Sequence, residues 1–319
     1  MRKRIWLVVQ IAFAAAAFWF VGRAIARYWG DVERSLAALS PRWVPIVGSA
    51  FLVLAAYVIL IETWRVMLGA WEGRTPPAFG DATRIWFISN LGRYVPGKIW
   101  QIAAMSALAQ RVGVSPVAAT GSALIVNLAN ILSGFVVALA GGLQLLDATT
   151  HGRSGMAIVV ALVLLAGLLL LPVLLPPAVA LAGRVTGRLP RVPRVPARSV
   201  WIATLGTAAA WALYGIGFAL LAHGILPGLP GGVWDFVAVY TVSYLAGYLF
   251  VPAPGGLGVR EWTMVQGLTV LGIAAPGDAW SIAFVSRLWL TVLEAAPGVV
   301  FLLWGGAPRP RNHNQADST

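Results

Sequence analysis

Apolar runs about 20 residues long, enough to cross roughly 30 Å of hydrocarbon as a helix, recur along the chain and set its plan. Six of them predict full transmembrane helices at about 5–22, 43–61, 117–146, 155–177, 199–222 and 279–304. Two further apolar segments, 82–111 and 234–274, are interrupted by Pro and Gly. In the first, "NLGRYVPGKIWQ" separates arms at 82–92 and 98–110, each too short to span. In the second, "AGYLFVPAPGGLGVREW" separates arms of about 17 and 16 residues. Short hydrophobic arms around a break predict re-entrant hairpins, which enter and leave the bilayer by one face. The expected fold is an all-α polytopic membrane protein with about six full spans and two re-entrant helical hairpins. It forms one transmembrane domain, 1–306, followed by a polar, Pro-containing tail, 307–319, expected to be disordered.

The placement of arginines orients this plan. "GRVTGRLPRVPRVPARS" carries Arg184, Arg188, Arg191, Arg194 and Arg198 with no acidic residue, and is expected in the cytoplasm. Counting outward puts the Lys- and Arg-free loop 223–233 outside, and the basic N-terminus, Arg309 and Arg311 inside. The loop 23–42, at +2, fits less well on the outer side. Each half, 1–146 and 155–306, then reads span, span, hairpin, span, with the second half inverted. Inverted repeats around broken helices are a recurrent plan of secondary transporters. Counting every hairpin arm as a span gives ten spans and the same terminal locations. The N-terminal segment has the basic start and Ala-x-Ala of a signal peptide. Its long apolar run and Arg23 favour an uncleaved first span.

Composition agrees: 59% of the 319 residues are hydrophobic and 11% charged, with a mean hydropathy of +0.80. The net charge of +12 would suggest nucleic acid in a soluble protein. Between apolar spans it points instead to topology and to anionic lipid. With no Cys, disulfides and thiolate chemistry are excluded. His151, His223 and His313 are far apart, at expected loops or in the tail, so no metal site is expected. No phosphate-binding loop, zinc pattern or nucleophile elbow is present, so neither catalysis nor a cofactor is expected.

The candidate chemistry lies at the two breaks. Pro96 and Gly97 let the chain turn, and a new helix begins near Lys98. Its unpaired N–H groups, with Arg93 and Lys98 beside them, form a natural phosphate site; Asn90 and Tyr94 flank it. In the second break Pro252, Pro254, Gly255, Gly256 and Gly258 precede Arg260 and Glu261, at the start of the returning helix. Arg287 and Glu294, seven residues apart in the last span, share a helix face, and Asn127 and Asn130 are placed to line the same cavity. Each also has a structural reading. Arg287 and Glu294 would lock the bundle by pairing with Glu261 and Arg260. Arg93 and Lys98 would snorkel, and the asparagines would bond between helices. Glu62–Arg65, Glu72–Arg74 and Asp81–Arg84 read as interfacial pairs. Trp6, Trp43, Trp64, Trp71, Trp86, Trp201 and Trp280 read as an aromatic belt.

The stretches "LGRYVPGKIWQ", "RVGVSPVAATGSALIVN", "PAPGGLGVREW" and "SRLWLTVLEAAPGVVFLLWG" resemble the lysylphosphatidylglycerol synthase transmembrane-region family. That family includes the membrane half of the multiple peptide resistance factor. The resemblance implies a helical lipid translocase without the synthase activity, since the soluble synthase domain is not in this sequence. The chain departs from the family at Val126 or Asn127, where members often carry an acid, which implies a different lipid or drive. The expected function is a flippase moving a phospholipid or glycolipid headgroup across the bacterial inner membrane. The alternative is a non-transporting scaffold for a lipid-modifying enzyme or glycosyltransferase.

Overall fold

The computed structural model describes residues 41–94, 99–141, 195–250 and 254–304, with isolated helical positions between 162 and 181. The expected first span, most of the 155–177 span, most of the arginine-rich loop and the tail lie outside the described residues. Within them the chain forms eight α-helices. These are α1 (Trp43–Glu72), α2 (Phe79–Asn90), α3 (Ile99–Arg111), α4 (Pro116–Gly141), α5 (Ala197–Ile225), α6 (Val233–Leu249), α7 (Val259–Val270) and α8 (Pro276–Trp304). Among the described residues no strand occurs.

Four helices, α1, α4, α5 and α8, are long and apolar enough to cross a membrane. They correspond to four of the expected spans. Helix α1 runs well beyond the expected end at 61, because Arg65 and Glu62 pair one turn apart at 2.5 Å and carry the helix through its first charged turn. It stops at Gly73, whose left-handed φ of 65° closes the last turn onto the Gly69 carbonyl. Arg74 pairs with Glu72, and Arg84 donates to the Phe301 carbonyl at 3.5 Å.

The bundle places its polarity inside. Val44, Phe51 and Leu303 are strongly exposed, whereas Asn90, Arg260, Glu261 and Glu294 are buried. That is the expected arrangement where the outer solvent is hydrocarbon and ionisable groups face the bundle interior. Hydroxyls follow the same logic. Thr63, Thr207 and Thr241 each donate to the carbonyl four residues earlier, at 2.7–2.8 Å, which satisfies these hydroxyls within their own helices. Helices α1 and α5 pack closely because Gly206 leaves room for Thr63, where a Cβ would fall 2.4 Å from its Oγ1.

The other four helices form two antiparallel hairpins, α2–α3 and α6–α7, whose arms pack against each other. At 1.5 Å per residue, α2, α3 and α7 reach only about 18–20 Å, and α6 about 26 Å. Helix α8 lies against α2 of one hairpin and α7 of the other.

Several sequence readings are corrected. Trp64, Trp71 and Trp280 are buried in the core rather than set in a surface belt; Trp43 and Trp201 are exposed. His223 lies within the last turn of α5, not in a loop, with Nδ1 2.8 Å from the Ala219 carbonyl and its ring against Phe236.

Candidate functional site

The first hairpin turns through a 3₁₀ segment, Leu91–Tyr94, that follows Asn90 directly. Asn90 is fully buried, and its Oδ1 accepts a 2.6 Å hydrogen bond from Gln101 Nε2, tying the two arms. The arms meet closely at Gly92, where a Cβ would lie 2.8 Å from the Gln101 backbone nitrogen. The turn carries Arg93 inward. Its Nη1 lies 2.6 Å from Glu294 Oε1 on α8 and donates to the Tyr244 hydroxyl on α6 at 3.4 Å. Pro96, Gly97 and Lys98 lie outside the described residues, as does the Tyr94 side chain.

The second hairpin turns through Pro254–Gly256. Gly255, Gly256 and Gly258 have φ of 58°, 70° and 86°, in the left-handed region that glycine adopts without strain. Gly256 also abuts Gly247 of α6, and a Cβ on it would fall 2.8 Å from the Gly247 backbone. Glu261 Oε2 then accepts the Gly258 N–H at 2.7 Å, capping α7 from its third residue. Arg287 on α8 donates to the Gly255 carbonyl at 3.0 Å and stands 3.6 Å from Glu261 Oε1. Pro252 lies outside the described residues.

The turns of the two hairpins pack against one another. Around their junction is a cavity of about 240 Å³, well beyond the space one water needs. Asn90, Arg93, Asn127, Asn130, Gly255, Gly256, Arg260, Arg287 and Glu294 all line it. The turn segments Leu91–Tyr94 and Pro254–Gly256, far apart in sequence, therefore open onto one space. Glu261 is not on the wall but reaches it through Arg287. Of the two structural pairings expected, Arg287–Glu261 forms, while Glu294 takes Arg93 in place of Arg260. Arg260 is 7% exposed and lies over the faces of Tyr240 and Tyr244, 5.3 and 4.9 Å from the ring centroids. Its Nη2 has no hydrogen-bond acceptor among the described residues.

The wall also holds residues that the sequence reading did not single out. Five of the chain's seven tyrosines line it: Tyr57, Tyr214, Tyr240, Tyr244 and Tyr248. The Tyr248 hydroxyl donates to Asn127 Oδ1 at 2.9 Å, joining α6 to α4. Tyr240, Tyr244 and Tyr248 recur every fourth residue, a spacing that already places them on one face of a helix. Tyr57 and Tyr214 carry no such signal. They meet edge to face at 5.7 Å only because α1 and α5 pack together.

Chemically, the described wall presents amphipathic aromatic rings, amides, three guanidiniums and one carboxylate, Glu294, with Glu261 behind Arg287, inside an apolar bundle. A search of curated proteins returned no match. The sequence profile described as the lysylphosphatidylglycerol synthase TM region matches residues 7–298, through all but the last turns of α8. With that coverage and the motifs at both breaks, the chain belongs to the lysylphosphatidylglycerol synthase transmembrane-region family.

Proposed function

We propose that the protein is a lipid translocase that passes a polar headgroup through the cavity while the acyl chains stay in the bilayer. The observation that carries this reading is the convergence of both hairpin turns, with Arg93, Arg260 and Arg287, on one polar space within an apolar bundle. Charge inside hydrocarbon is costly and is tolerated where it lines a pathway or site. In this reading α2–α3 and α6–α7 are re-entrant hairpins, related as the two inverted halves of a repeat. Rocking of the halves about the cavity would expose it to each leaflet in turn. The five-arginine loop and both termini would face the cytoplasm across the bacterial inner membrane. The reading assigns no bond-making step to the cavity.

The test is reconstitution of the full chain into vesicles with a fluorescent phospholipid in both leaflets, followed by an impermeant reductant. The wild type is expected to render nearly all of the label reducible. Arg260→Ala, and Arg93→Ala/Arg260→Ala if it folds by size-exclusion, should leave the inner-leaflet half protected. Protection of that half for every lipid tried with wild-type protein would overturn translocation and leave the scaffold reading.

A further inference from the structure

Among the described residues the cavity holds more positive charge than it neutralises, and this bears on which headgroup it takes. Three arginines, Arg93, Arg260 and Arg287, line it, against one wall carboxylate, Glu294, and Glu261 behind Arg287. Both carboxylates are engaged: Glu294 by Arg93 at 2.6 Å, and Glu261 by the Gly258 N–H at 2.7 Å with Arg287 at 3.6 Å. The surplus charge resides on Arg260. Tyr240 and Tyr244 shelter it with their ring faces, but a ring supplies no acceptor for Nη2. A buried guanidinium with an open donor, on the wall of a cavity, is suited to a charge-assisted bond from an anionic oxygen.

Resting on the translocase reading, we propose that the cavity selects a headgroup of net negative charge that also bears hydroxyls, a phosphate ester of a polyol or sugar. By the same charge count it rejects cationic aminoacyl headgroups. An anion placed against Arg260 neutralises the existing surplus. A cation would add to that surplus, and could gain a carboxylate only by displacing Arg93 or Arg287 from its partner. The tyrosines account for the hydroxyl preference. Each phenol both donates and accepts, and its ring offers an apolar face to the carbon skeleton of a polyol. Tyr57 and Tyr214 stand beside the Arg260 cage on neighbouring helices, with the Tyr214 ring stacked 6.0 Å from Tyr240.

The proposal is tested by native mass spectrometry of the full chain offered equal amounts of four lipids. These are phosphatidylglycerol, phosphatidic acid, phosphatidylethanolamine and lysyl-phosphatidylglycerol. Phosphatidylglycerol should be retained over the lysyl lipid by about tenfold or more, a difference well within what one charge-assisted contact supplies. Arg260→Gln should reduce that preference to about twofold, Arg260→Lys should keep most of it, and Tyr214→Phe should weaken phosphatidylglycerol more than phosphatidic acid. Equal or greater retention of the lysyl lipid overturns the proposal. So does an unchanged preference in a folded Arg260→Gln protein or, if that variant does not fold, equal effects of Tyr214→Phe on both anionic lipids. Displacement of bound phosphatidylglycerol by soluble glycerol phosphate supports the same site with a free phosphate ester as its ligand. Resistance to displacement supports the lipid. The vesicle assay separates the two readings: selective retention without movement leaves this inference standing and removes translocation, while movement of the lysyl lipid alone does the reverse.

Discussion

The two hairpins look alike in sequence, yet the structure treats their cations differently. Each has a short apolar arm, a glycine-bearing turn and an arginine at or just after that turn, and each is anchored by α8, through Glu294 to one and Arg287 to the other. In the first hairpin, Arg93 is matched by Glu294, and the arms are tied by the Asn90–Gln101 bond. In the second, the nearby carboxylate is spent on capping α7 and on Arg287, so Arg260 is left to Tyr240 and Tyr244, with no carboxylate partner among the described residues. A neutralised arginine locks a hairpin to its neighbour; a surplus arginine is available to a ligand. Two similar motifs thus divide the work of holding the bundle and of presenting charge.

The largest test of this contrast is to remove each arginine and compare stability in detergent. Arg93→Ala removes the guanidinium 2.6 Å from Glu294, which is 4% exposed, and losing one partner of a buried pair costs about 3–5 kcal/mol. Arg260→Gln strands no carboxylate and should cost no more than about 2 kcal/mol, the scale of a desolvated cation–π contact. Thermal melts showing the two variants equally destabilised would remove the distinction between them. An Arg93→Met/Glu294→Leu double variant should recover much of the loss seen in Arg93→Ala.

Next in size is the second turn itself. Gly256→Ala forces a Cβ against Gly247 in a left-handed backbone, adding overpacking of about 1–3 kcal/mol to a conformational cost of about 1–2 kcal/mol. Gly113→Ala, also at positive φ but with open space around it, should show the conformational cost alone. Denaturation midpoints that coincide for these two variants would mean that the turn does not pack against α6. The smallest expected effect is at the cavity wall. Tyr248→Phe removes the two neutral hydrogen bonds its hydroxyl shares with Asn127, each worth about 0.5–1.5 kcal/mol, and should lower the denaturation midpoint by less than Arg93→Ala does.

Much of this site was legible from the chain alone. The Pro/Gly breaks, the arginines beside them, and the shared face of Arg287 and Glu294 follow from local rules of turn chemistry and helical period. The pairing Arg287–Glu261 was among the structural alternatives that those rules allow. The length of α1 was less legible: Glu62 and Arg65 end the apolar run and pair as expected, but the helix continues through them to Glu72. Trp64 and Trp280 looked interfacial because residues near span ends usually are; burial depends on which helix packs alongside, and sequence distance carries no trace of that.

The sequence by itself determined that this is a helical membrane protein with two broken hydrophobic segments, cations at both breaks, and membership of one family. These properties are set within a few turns of chain, where period, propensity and charge act on neighbouring residues. Only the tertiary structure decided that the turn segments Leu91–Tyr94 and Pro254–Gly256 meet, that Glu294 goes to Arg93, and that Arg260 is therefore the arginine in surplus among tyrosines. Ion pairs inside a bundle form by proximity across helices, within a few ångströms, and each carboxylate taken by one arginine is lost to the next. That competition has no local sequence signal, which is why the charge left for a ligand could be assigned only once the helices were packed.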